Sequence, residues 1–145
     1  MRSIDTRITA WLSRAALAAA IVASLATGEL FFAVRRSGAL VVDVQTPTGT
    51  RTTTLPAIER GTLEEVALRV TAPDRALLTA RISSDRDEPG FVARFDGSSW
   101  RRIETPCNGI ARSPALDDAG TAYFTCPVGT DERGVLLRER GGVVE

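Results

Sequence analysis

Cys107 and Cys126 are the two residues of this chain whose type and spacing most readily do chemistry. A pair of cysteines in an exported protein forms a disulfide more often than anything else. Closing a loop of that length would stabilise a fold by about 3 kcal/mol in the chain-entropy model. The competing reading is two reduced, buried thiols packing as small apolar side chains. Zinc is poorly served, because it needs further ligands and the sequence contains no histidine.

The missing histidine removes the usual general base and the side chain that titrates near neutral pH. Serine hydrolases with a histidine triad, papain-like cysteine proteases and histidine-ligated zinc hydrolases cannot be assembled from these residues. The expectation is therefore a chain with no catalytic residue, no metal and no cofactor.

Three weaker candidates remain. Asp85, Asp87 and Glu88 could offer oxygen ligands to calcium, but they lack EF-hand spacing and Arg86 sits among them, so a solvated turn is the better reading. Asp117 and Asp118 precede Ala119-Gly120 as hairpin residues do, which favours local backbone hydrogen bonding over a paired-carboxylate site. Trp100, Arg101 and Arg102 could form a binding edge for a glycan or an anion, the indole stacking and the guanidinium groups donating. Against that, an aromatic residue at the start of a strand is more often core.

What positions these residues must be one domain of modest size. The 145 residues carry 18 basic and 18 acidic side chains, a formal net charge of zero, and every basic one is arginine. No broad positive field exists to hold phosphate backbones, which argues against nucleic acid as a partner. Protein, glycan or a second copy of the chain are the partners left open.

The amino terminus reads as a targeting segment. Arg2, Arg7 and Arg14 precede the uncharged, alanine-rich run 15–28, the layout of a secretory signal peptide, with small residues at Ser24 and Ala26 suiting cleavage after Ala26. The signal would then be residues 1–26 and the mature domain residues 27–145. An uncleaved anchor helix over residues 8–34 is the alternative, since 15–34 approaches the length of a membrane span. Glu29 within it, and Arg35 and Arg36 on the translocated side, argue against that. Residues 30–34, Arg35-Arg36-Ser37-Gly38 and residues 39–44 read instead as a hairpin of the mature domain.

Beyond residue 61 the signals are those of antiparallel strands. Val66, Leu68 and Val70 alternate with Ala67, Arg69 and Thr71, a period of two that outweighs the helix suggested by Thr62 and Glu65 at capping-box spacing. Pro73-Asp74 turns the chain, and Leu78, Ala80 and Ile82 alternate again. Phe91, Ala93 and Phe95 then share a face before the turn Asp96-Gly97-Ser98-Ser99 and a return at Trp100. The order recurs from Asp117: a turn to Gly120, a strand over residues 121–126, and a strand over 135–138 closed by Gly141-Gly142. Ala76 and Thr79 match Ala122 and Thr125 at an offset of 46, and Gly90, Arg94 and Gly97 match Gly134, Arg138 and Gly141 at 44.

A period in the forties built from short antiparallel strands resembles β-propeller blades, each of which must pack on its neighbours to bury both faces. Ala115-Leu116-Asp117-Asp118-Ala119-Gly120-Thr121-Ala122-Tyr123 looks like the inner hairpin of a blade, and Arg94-Phe95-Asp96-Gly97-Ser98-Ser99-Trp100 like an outer one. The resemblance covers residues 62–145 as two incomplete blades, at about 62–106 and 107–145. It implies an all-β domain behind a helical targeting segment. Two functional classes follow as expectations: an exported non-catalytic module with an interaction or structural role, or a fragment of a larger propeller enzyme of glycosidase or lyase type. An open last edge would favour self-association.

Overall fold

The computed structural model describes residues 21–24, 28–84 and 89–145. Among the described residues the secondary structure is all strand, with twelve strands in three four-stranded antiparallel sheets. Each sheet is a meander in chain order. Sheet 1 contains β1 (Ile21–Ser24), β2 (Leu30–Arg36), β3 (Ala39–Thr46) and β4 (Gly49–Thr54). Sheet 2 contains β5 (Thr62–Ala72), β6 (Arg75–Ser83), β7 (Gly90–Phe95) and β8 (Trp100–Arg102). Sheet 3 contains β9 (Arg112–Leu116), β10 (Ala122–Val128), β11 (Asp131–Arg140) and β12 (Val143–Val144).

The turns follow from local backbone chemistry. Ser37 and Gly38 join β2 to β3 with φ of 50° and 83°, and Gly141 and Gly142 join β11 to β12 at 61° and 91°. Consecutive left-handed residues match the right-handed twist of the strands they join, which is why two-residue hairpins favour them. Asp96 closes the β7–β8 turn itself, its Oδ1 accepting the amides of Ser98 at 2.9 Å and Ser99 at 2.8 Å. Such a carboxylate imitates a backbone acceptor.

The sheets stack face on face, with sheet 2 in the middle. Ala76, Leu78, Ala80 and Ile82 of β6 and Phe91, Ala93 and Phe95 of β7 pack against Phe31, Ala33, Val42 and Val44 of sheet 1. Leu77 and Val92, on the opposite face, pack with Ala122, Phe124, Cys126 and Leu137 of sheet 3. A strand covered on both faces needs apolar or small residues at successive positions. That explains why residues 76–80 are all buried where simple alternation would leave every second one wet. The first strands adjoin, β1 against β5 and β5 against β9.

This architecture adds to the expectations at three places. A complete sheet precedes the two units read at 62–106 and 107–145, because β4, a threonine-rich run with little hydrophobic signal, pairs with β3 from Val41↔Thr54 to Thr46↔Gly49. Residues 30–34 lie in strand β2, so the anchor helix over 8–34 does not extend through them; its portion at 8–20 and 25–27 lies outside the described residues. Ile21–Ser24, assigned above to the targeting segment, forms the edge strand of sheet 1, pairing from Ile21↔Ala33 to Ser24↔Leu30. The cleavage position after Ala26 lies outside the described residues. Over 62–72 the strand prevails over the capping-box helix because Leu63 and Val70 are drawn into the apolar layer.

Candidate functional site

The segment 103–111 crosses from sheet 2 to sheet 3, and the disulfide sits on it. Cys107 and Cys126 are joined, with Cα atoms 5.6 Å apart across 19 residues. Both are nearly inaccessible, 6% and 2% exposed. Cys107 also bridges Val128 through the backbone, and Asn108 donates its amide to the Pro127 carbonyl at 3.1 Å. The crosslink therefore fastens the crossing segment to β10. A sealed disulfide of this kind is structural, since exchange requires access to a sulfur.

Charged groups hold sheet 2 to sheet 3. Glu139 on β11 is fully buried, and its Oε2 accepts from Arg94 of β7 at 2.7 Å. Its Oε1 accepts from Arg101 of β8 at 3.2 Å and from the Gly142 amide at 2.7 Å. Arg94 also donates to the Gly120 carbonyl. Burial pushes the Glu139 carboxyl up, but the Gly142 amide and the two guanidinium groups outweigh it and leave the group below the usual glutamate range.

A second charged group lies where the first strands meet. Glu65 on β5 has φ of 49° and sits in an irregularity of the β5–β6 pairing, and Ser113 on β9 has φ of 55° at an irregularity of the β9–β10 pairing. Bulges re-aim side chains. Here Glu65 accepts from Arg112 of β9 at 3.2 Å and lies 3.5 Å from Arg81, which also donates to Glu64 at 2.9 Å.

Trp100, Arg101 and Arg102 do not present a shared edge. Trp100 is 7% exposed, its ring 5.1 Å from Phe95 and its Nε1 donating to Thr53 of sheet 1 at 2.9 Å. Arg101 turns the other way, to Glu139, and Arg102 lies over the Phe91 ring at 5.5 Å. The three residues thus serve three different contacts. Asp117 caps its own turn, accepting from the Thr121 amide at 2.8 Å and the Tyr123 hydroxyl at 3.3 Å, and its carboxyl is held below the usual aspartate value chiefly by that amide. Asp85, Asp87 and Glu88 lie outside the described residues.

One groove, about 510 Å³, runs between the β2–β3 hairpin and residues 55–58. Leu40, Leu55, Pro56 and Ile58 line it, and its one charged side chain, Arg35, donates to the Leu63 carbonyl. Among the described residues no cluster of three or more potential metal ligands exists. Sequence reasoning missed Glu139, Arg81 and Arg112. The repeat alignment placed Glu139 near the position of Phe95 without naming a counter-ion, and nothing marked Arg81 or Arg112.

Comparison with known proteins finds no matching family model, no similar curated protein and no similar solved structure. The geometry stands alone: the ion pairs, the tryptophan and the disulfide all join one element of the stack to another.

Proposed function

We propose that this chain is an exported, non-catalytic β-repeat module with an interaction or structural role. The observation that carries the reading is the commitment of its buried charge. Glu139, Arg94 and Arg101 are spent on one another across the sheet 2–sheet 3 boundary. A general acid or base needs a free face within reach of a substrate proton. The Cys107–Cys126 disulfide supports an oxidising compartment, as does the layout of the first 28 residues. No described helix is long and apolar enough to cross a membrane.

The second reading is a portion of a larger propeller enzyme of glycosidase or lyase type. Its support is the stacking of three four-stranded meanders with their first strands adjoining, as blades are arranged around an axis. One experiment separates the two. Purified protein incubated with a panel of polysaccharides, followed for reducing ends and for unsaturated products, should show no turnover above a heat-denatured control. Turnover by native protein would sink the module reading.

A further inference from the structure

Sheet 2 receives sheet 3 on a face built from two cross-strand pairs: Leu77 opposite Arg94, and Thr79 opposite Val92. Sheet 3 carries the same pattern on its own far face, with Tyr123 opposite Arg138 and Thr125 opposite Leu136. In sheet 2 this face is sealed: Leu77, Thr79 and Val92 are fully buried. In sheet 3 it is open. Leu136 is 66% exposed and Val143, opposite Arg140 on the same face, 65%, and these are the large apolar side chains left exposed among the described residues. Side chains follow strand alternation, so a face that repeats a docking face pair by pair presents a docking surface.

We propose that this far face of sheet 3 binds a second copy of the chain through the same face, about a two-fold axis. The proposal rests on the interaction-module reading and names the partner. Two features select a second copy. Arg138 exchanges both backbone hydrogen bonds with Glu145 and contacts its carboxylate at 2.6 Å, so one face bears adjacent opposite charges flanked by apolar side chains. A two-fold contact needs such a self-complementary patch, because each residue meets its own symmetry mate's neighbourhood. The other outer face of the stack offers no matching apolar patch, since Phe32 and Val34 are each 5% exposed. The open face of sheet 3 therefore finds its counterpart in the same face of a second copy.

The full chain, examined by light scattering on a sizing column across a concentration series, should run at twice its 15.5 kDa mass. Leu136→Glu, with Val143→Glu as a second variant should the first fail to fold, should weaken dimerisation by about tenfold or more, since a charge would enter an apolar contact. Arg138→Glu alone should weaken it similarly, and Arg138→Glu combined with Glu145→Arg should restore it. A monomeric wild type at about 100 µM, a folded Leu136→Glu variant that dimerises as tightly as wild type, or a double reversal that stays monomeric would each overturn the proposal. Those results leave the module reading standing, which falls instead on the turnover assay.

Discussion

Glu139 stands in sheet 3 where Phe95 stands in sheet 2: Phe95 lies opposite Ala76 and Glu139 opposite Ala122, each on the third strand of its sheet. Each is met by an arginine of the preceding sheet. Arg51 of β4 lies over the Phe95 ring at 5.7 Å, and Arg101 of β8 reaches the Glu139 carboxylate. The same geometry thus works once through a ring face and once through a charge.

Because Glu139 is fully buried, removing its carboxylate leaves Arg94 and Arg101 without their counter-ion. Glu139→Ala should cost about 3–5 kcal/mol of unfolding free energy in urea titrations, the usual penalty for breaking a buried pair. Arg101→Ala, at a group 55% exposed, should cost much less. Equal losses would show that Glu139 is not the centre of the clasp.

Acid should loosen the same boundary. The Glu139 carboxyl titrates lower in the folded chain than its ordinary value, so its contribution is present above the unfolded value, about 4.3, and is lost as pH falls through the folded one. Asp96, lowered from 3.8 to about 2 mainly by the Ser99 amide and then by the Ser98 amide, acts in the same direction between those values. Melting temperature should hold from pH 7 to about 5 and fall below about 4. Substituting Glu139 by Gln should flatten the upper part of that fall.

Reduction should release the crossing segment. The Cys107–Cys126 link closes a 19-residue separation and should contribute about 3 kcal/mol, read as the shift in urea midpoint between oxidised and reduced protein. Alkylation without reductant should label neither cysteine, and labelling of both in natively exported protein would refute the bridge.

Thr79 is fully buried, and its Oγ1 has no hydrogen-bond partner among the described residues. Thr79→Val keeps the shape and removes an unsatisfied hydroxyl, so it should stabilise the protein by about 1 kcal/mol. A destabilised variant would mean that the hydroxyl is satisfied by solvent.

Trp100→Phe should cost about 1–3 kcal/mol, because it removes the donor to the buried Thr53 hydroxyl. Glycan binding on an array should be unchanged by it. Loss of a glycan signal with stability intact would assign Trp100 a binding-edge role.

Much of the architecture was legible because it is written in neighbouring residues. Ser37-Gly38, Pro73-Asp74, Asp96-Gly97, Asp118 to Gly120 and Gly141-Gly142 turn the chain where expected, since left-handed backbone and self-capping carboxylates are properties of a few consecutive residues. The two cysteines, with no third to compete, were paired from count and context alone. By itself the sequence determined strands, turns and a crosslink.

Only the tertiary structure decided which faces are covered. Sheet 1 was half hidden because β4 has little hydrophobic signal and is recognisable only once β3 pairs with it. Trp100 was an ambiguous aromatic until Thr53, 47 residues away, accepted its indole proton. Glu139 lies in the charged stretch Arg138-Glu139-Arg140, and it is buried because Arg94, 45 residues earlier, meets it across a sheet boundary. A carboxylate's cost of burial depends on partners brought together by stacking, which no local pattern encodes.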